Sequence, residues 1–124
     1  MKRDMELVRQ ILFTIERMEA RSAKVSVPEY SEHLVNYHLD LLITAGIVNG
    51  KMHWMNRGRG VAVVSGLTWE GHNYLDAVRD QSIWTRTKDL LRGKGQDIRH
   101  LPSDVVFEVV KKVASGEIVD RLNL

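Results

Sequence analysis

Leu39-Asp40-Leu41-Leu42-Ile43-Thr44-Ala45-Gly46-Ile47-Val48, taken with Leu67-Thr68-Trp69-Glu70-Gly71-His72-Asn73-Tyr74-Leu75, decides the fold. In the first stretch Leu39 and Leu42 are one helical step apart. Gly46 stands where a helix C-terminus wants a residue free to take positive φ. Ile47-Val48 then runs straight into an extended segment. In the second stretch Thr68 offers a hydroxyl to the orphan N–H groups of a new helix, and Glu70 falls in the first turn, where the macrodipole favours an acid. Gly71 lets that first turn lie close to a neighbouring backbone.

Residues 47–67, between these two patterns, form a hairpin. Asn49-Gly50 is a turn or bulge signal, and Met52 and Trp54 alternate with Lys51 and His53. Asn56-Arg57-Gly58-Arg59-Gly60 is a polar, glycine-rich tip, and Val61-Ala62-Val63-Val64-Ser65 returns from it.

Upstream of Gly46, Ser31 caps a helix over about Glu32–Ala45. Its expected core face is Leu34, His38 or Val35, Leu41, Leu42 and Ala45, with His33, Asn36, Tyr37, Asp40 and Thr44 opposite. From Ser22 the chain changes character, and Lys24-Val25-Ser26-Val27 alternates as a short strand that Pro28 closes. Before it, Met5, Val8, Leu12, Ile15 and Met18 or Glu19 recur at helical spacing from Asp4 to about Arg21, with Leu7 and Ile11 widening the face. About ten residues separate that helix from Ser31, scant room for a separate second helix.

Downstream, the Thr68-capped helix runs to about Arg79, and a further helix covers about Ser82–Arg92 before Gly93-Lys94-Gly95. Leu101-Pro102-Ser103-Asp104 opens a last helix to about Ala114. There the three/four spacing of Val105, Val106, Val109, Val110 and Val113 outweighs their β propensity. Gly116 ends or interrupts it, and Ile118, Val119 and Leu122 add an apolar tail.

Helix, hairpin, then a Thr-capped helix looks like the recognition helix, wing and following helix of winged-helix proteins. The expected class is α+β: a winged helix-turn-helix-like core with a β-hairpin wing over residues 1–80. A C-terminal helical extension, residues 81–124, packs on the same domain.

Bulk composition agrees with an ordinary globular chain. The 124 residues are 44% hydrophobic and 27% charged. The absence of cysteine excludes disulfides, thiolate nucleophiles and cysteine-rich zinc sites. Met1-Lys2-Arg3-Asp4 leads into a charged helix rather than a signal peptide, and no apolar run spans a bilayer, so a cytoplasmic protein without membrane association is expected. Net charge is +2, but residues 41–100 hold nine Lys/Arg against five Asp/Glu, and no acid falls between Asp40 and Glu70. A polyanion partner therefore suits the middle of the chain.

No P-loop, nucleophile elbow, dinucleotide fingerprint or metal-ligand pattern is present, so neither an enzyme nor a cofactor is expected. His33 and His38 are five apart and point to different faces; His38 reads as a hydrogen-bonded core-edge residue and His72 as packed against the hairpin. Trp69 and Trp84 read as core residues, and Trp54 is left open.

The chain also resembles a bacterial and phage-associated family, the domain of unknown function 2513 family. The segments that carry the likeness are Met1-Lys2-Arg3-Asp4-Met5, Tyr30-Ser31, Val35-Asn36-Tyr37-His38-Leu39, Leu67-Thr68-Trp69-Glu70-Gly71-His72, Leu75-Asp76-Ala77-Val78-Arg79-Asp80 and Ile83-Trp84. The resemblance implies a winged-helix-like fold in a bacterial or phage cytoplasm and supplies no activity.

The candidate nucleic-acid surface is His33, Asn36 and Tyr37 on the helix with Lys51, His53, Arg57 and Arg59 on the wing. Helix side chains can meet base edges, and wing arginines can meet phosphates or a minor groove. Such tips are otherwise solvated turns, and Glu32 and Asp40 oppose phosphate. The expected function is duplex DNA binding, as in a phage or prophage regulator. The alternative is a protein-interaction module, and the N- and C-terminal helices are candidates for homodimerisation.

Overall fold

A computed structural model describes residues 1–19 and 23–116. These residues build an α+β protein of five helices and one two-stranded antiparallel sheet. The expected helix end at Arg21, the change of character at Ser22 and the tail at Ile118, Val119 and Leu122 lie outside the described residues. The described residues divide into two compact units, Met1 with those of Leu7–Leu75, and Lys2–Glu6 with those from Asp76 to Gly116.

In the first unit, helix α1 (Met5–Arg17, which begins in the second unit) buries Leu7, Val8, Ile11, Leu12 and Ile15. It ends four residues before the expected Arg21, and the Met18 N–H closes back on the Ile15 carbonyl. Arg9 is also buried on this helix, its guanidinium 4.8 Å from the centre of the Phe13 ring. A cation lying over a ring face gains from the ring quadrupole.

Between α1 and Ser31 the described residues form no helix. Val25 and Val27 are buried while Lys24 and Ser26 are exposed, so the alternation read from sequence is real. The strand it implied is reduced to one bridge: Ala23 and Val64 exchange both backbone hydrogen bonds, at 3.1 and 2.9 Å. A turn at Pro28–Glu29 follows.

Helix α2 (Glu32–Thr44) begins at Ser31, whose hydroxyl accepts from the Leu34 N–H at 3.1 Å. Val35, His38, Leu39 and Leu42 are its buried stripe. Leu34 is only half-buried, while Leu41 and Ala45, expected inside, are exposed, because they fall beside that stripe. The His38 Nδ1–H donates to the Leu34 carbonyl at 2.9 Å. Gly46 takes φ +76° just past the helix.

Strands β1 (Val48–Trp54) and β2 (Gly60–Leu67) pair from Val48–Leu67 to Trp54–Gly60, with a bulge at Asn49/Gly50. The extra residue is Ser65, on β2, and along β1 alternation places Gly50, Met52 and Trp54 on one face and Lys51 and His53 on the other. Helix α3 (Trp69–Val78) starts on the Thr68 hydroxyl, which accepts from the Gly71 N–H at 2.9 Å. The same hydroxyl donates to the Gly46 carbonyl at 2.6 Å, with the Ile47 carbonyl at 3.0 Å. The Thr68 N–H also donates to Ile47, at 3.1 Å. A Cβ on Gly71 would overlap that Ile47 carbonyl oxygen. Thus the end of α2, the root of the hairpin and the start of α3 are tied at one point, which is why Thr68 and Gly71 stand where they do.

Trp69 corrects an expectation: it is 80% exposed. Gly71, Tyr74, Leu75 and Val78 form the buried stripe of α3, and Trp69 shares the opposite face with His72, Asn73 and Asp76. His72 is likewise exposed rather than packed against the hairpin.

In the second unit, Asp80 caps helix α4 (Gln81–Gly93) by accepting from the Ile83 N–H at 2.9 Å. Trp84 is buried as expected, and its indole N–H donates to Glu6 at 2.7 Å. Lys88 reaches the other oxygen of Glu6 at 3.3 Å. Helix α5 (Ser103–Ser115) buries Val106, Val110 and Val113 and packs on α4, and Gly116 caps it at φ +81°. In the turn Ile98–His100 before it, Asp97 accepts from the Arg99 side chain and backbone N–H. That pairing holds the Asp97 carboxyl down at about 2. No helix among the described residues is long and apolar enough to cross a membrane.

Candidate nucleic-acid interface

The predicted surface falls in the first unit and separates into three parts. The first is a groove of ≈ 160 Å³ between α2 and the hairpin, lined by His33, Asn36, Tyr37 and Asp40 on the helix and by Met52, Trp54, Gly58 and Gly60 on the hairpin. Helical spacing explains its helix wall, because residues 33, 36, 37 and 40 follow one another at three- and four-residue steps. Strand alternation explains the other wall, where Met52 and Trp54 share a sheet face.

Two of the helix residues also hold the fold. The Asn36 side-chain carbonyl accepts the Ala62 N–H at 3.1 Å. That N–H points away from β1, so Asn36 and the Ala23 bridge together satisfy the outer edge of β2. The Tyr37 hydroxyl donates to the Met1 carbonyl at 3.2 Å, and its ring stands edge-on to His38 with centroids 5.5 Å apart. Asp40 is half-buried and has no hydrogen-bond or ion-pair partner among the described residues. His33 is exposed.

Trp54 forms the far wall. It is 62% exposed and pairs across the hairpin with Gly60. A Cβ on Gly60 would come within 2.7 Å of the indole and 2.8 Å of the Met52 methyl. The missing side chain therefore lets the ring lie against the opposite strand, an indole standing in for a glycine's lost packing.

The second part is the tip. Arg57 and Arg59 flank Gly58, both are exposed, and neither has an acidic partner among the described residues. Arg57 sits at φ +68°, the one non-glycine residue in that region among those described. The Met55 N–H donates to the Arg59 carbonyl at 2.7 Å and closes the loop.

The third part is the opposite sheet face. Lys51 and His53 are exposed there, paired across the sheet with Val63 and Val61. The structure thus gathers His33, Asn36 and Tyr37 in the groove, puts the two arginines at its rim, and sets Lys51 and His53 on the other side of the ribbon. Sequence reasoning missed Trp54 and Met52 as partners of the helix residues, although their alternation with Lys51 and His53 held the signal. Among the described residues no group of three or more His, Asp and Glu side chains is close enough to hold a metal ion.

Comparison with known proteins agrees with the likeness carried by the tyrosine–serine and Leu-Thr-Trp-Glu-Gly segments. An uncharacterized protein of Haemophilus influenzae is 29% identical over 118 residues, covering 93% of this chain and 97% of the relative. No solved structure matches the chain. The model of the family described as Hypothetical protein (DUF2513) matches residues 2–97, and the chain belongs to that family.

Proposed function

We propose that the first unit is a winged-helix domain that binds nucleic acid, duplex DNA included, with the hairpin as the wing. It acts by binding alone. The observation that carries this reading is the tip: Arg57 and Arg59 project into solvent without acidic partners among the described residues, beside an exposed indole. Supporting it, α1, the Ala23 bridge, α2 and the hairpin follow the order of a winged helix. The departure is that the described residues between α1 and Ser31 form no helix, which moves weight from helix docking to the wing. A regulatory role in a phage or prophage setting belongs to the same proposal, as does a homodimer through the N- and C-terminal helices, which sedimentation equilibrium measures.

The test is binding to a random-sequence duplex as salt is raised. Lys51, Arg57 and Arg59 give three phosphate contacts and a slope of log K against log salt of about −2.7. Affinity then falls ~40-fold from about 50 to 200 mM salt, against ~3.5-fold for Arg57→Ala/Arg59→Ala. A protein that leaves DNA unbound at low ionic strength sinks the proposal.

A second reading is favoured by Trp69, 80% exposed, and Met55, 54% exposed. Aromatic residues and Met are over-represented where proteins meet. A protein-interaction module would bind its partner with little salt dependence and lose it with Trp69→Ala.

A further inference from the structure

Asp40 is the awkward residue of the groove, because a carboxylate repels the phosphates that the arginines attract. A nucleobase resolves the conflict. Its exocyclic amino group is a hydrogen-bond donor that a carboxylate accepts, while its own phosphate lies one sugar away. Asn36 supplies the complementary group. Its carbonyl is fixed on the Ala62 N–H, so the amide nitrogen is left as a donor without a partner among the described residues. An acceptor and a donor on one helix face, one turn apart, match an amino group next to a ring-nitrogen acceptor. Cytosine and adenine carry that pair on their Watson–Crick edge; thymine carries an oxygen where the amino group would be. The indole of Trp54, held against Gly60, presents an apolar face in the same groove, and every base has a π-face to lay on it. Arg57 and Arg59 stand at the rim for the flanking phosphates.

We propose that the groove between α2 and the hairpin receives an unpaired, amino-bearing base, cytosine or adenine, stacked on Trp54 with its edge on Asp40 and Asn36, and with Arg57 and Arg59 on the adjoining phosphates. This rests on the nucleic-acid reading of the same surface and names its substrate: a single strand, or a duplex with an extruded base. Duplex DNA hides the Watson–Crick edge inside the helix, so a fully paired site meets only the rim.

The experiment is fluorescence anisotropy of the full chain with labelled oligo-dC, oligo-dA, oligo-dT and a random duplex of equal length, at low ionic strength. Oligo-dC and oligo-dA bind about tenfold more tightly than oligo-dT, in line with one good edge pairing. Trp54→Ala weakens oligo-dC by about five- to 150-fold, the worth of one stacked base, and Trp54→Phe restores most of the loss. Trp54 is 62% exposed, and urea unfolding checks that both variants keep the parent's fold. Asp40→Ala abolishes the preference for oligo-dC while oligo-dT binds as well or better, since a charge opposing phosphate is gone. A structural lesion would weaken every probe alike. Single strands bound without base preference, or bound equally by Trp54→Ala, overturn the base pocket; salt-dependent duplex binding under those results leaves the wing reading standing. Failure to bind any of the four probes overturns both.

Discussion

Gly71→Ala is the substitution by which the fold is most sharply tested, because two principles predict opposite signs for it. Alanine inside a helix is favoured over glycine by about 1 kcal/mol. Here the new Cβ would overlap the Ile47 carbonyl oxygen, a backbone atom that cannot swing aside. Forcing extra volume into such a place costs about 1–3 kcal/mol. Pushing the carbonyl away also weakens its bonds to the Thr68 N–H and hydroxyl, at 3.1 and 3.0 Å, for about 1 kcal/mol more. The net expectation is a loss of about 2 kcal/mol, or ~1 M in the urea midpoint at an unchanged slope. Gly93→Ala is the matched control: it lies at the end of a helix with nothing within 4 Å of its Cβ direction. That substitution gains about 0.5 kcal/mol, less than the mid-helix value because helix ends fray. Urea unfolding followed by circular dichroism measures both. A Gly71→Ala protein as stable as the parent refutes the tie between α3 and the hairpin root.

Further outcomes follow from the same geometry. Arg57→Asn relieves a left-handed residue that L side chains resist and raises stability by about 0.5–1 kcal/mol, read in the same urea titration, while removing one phosphate contact. Asn36→Ala strips the Ala62 N–H of its acceptor and costs about 1–3 kcal/mol, with faster amide exchange at Ala62; Asn36→Asp keeps the acceptor and much of the protection. Asp97 has its carboxyl lowered, so its pairing with Arg99 stabilises the turn fully above pH 3.8 and is lost as pH falls through about 2. Carboxyl chemical shifts place that midpoint, and Arg99→Ala moves it up towards the ordinary aspartate value.

What could be read from the sequence was mostly what is local. Ser31, Gly46, Thr68 and Gly71 each act on backbone groups within a few residues or at a sharp junction, so residue type and position were enough. The register shift at Asn49-Gly50 was legible for the same reason, although the extra residue, Ser65, stands on the partner strand. Trp69 misled because size was given more weight than helical phase: Gly71, Tyr74, Leu75 and Val78 set the stripe, and Trp69 lies off it with Asn73 and Asp76. Leu41 repeats the lesson on α2. The candidate surface was only partly legible. Its residues were found by charge and exposure, but strand parity, which sets Lys51 and His53 against Met52 and Trp54, decides which of them meet α2. That Asn36 closes the edge of β2 depends on a partner 26 residues away, which no local pattern announces.

The knot at Thr68 has a mechanical consequence. It clamps both ends of the hairpin at one point, while the Ala23 bridge at Val64 and the Asn36 bond at Ala62 hold β2 further along, so that only the tip beyond Val61 relies on its own pairing. At about 3.3 Å per residue the ribbon is about 20 Å long, and only its last few residues, around Arg57 and Arg59, overhang those ties. A ligand that grips the tip therefore confines motion that is already confined to one end, and the folded body beneath it is spared the cost of rearrangement.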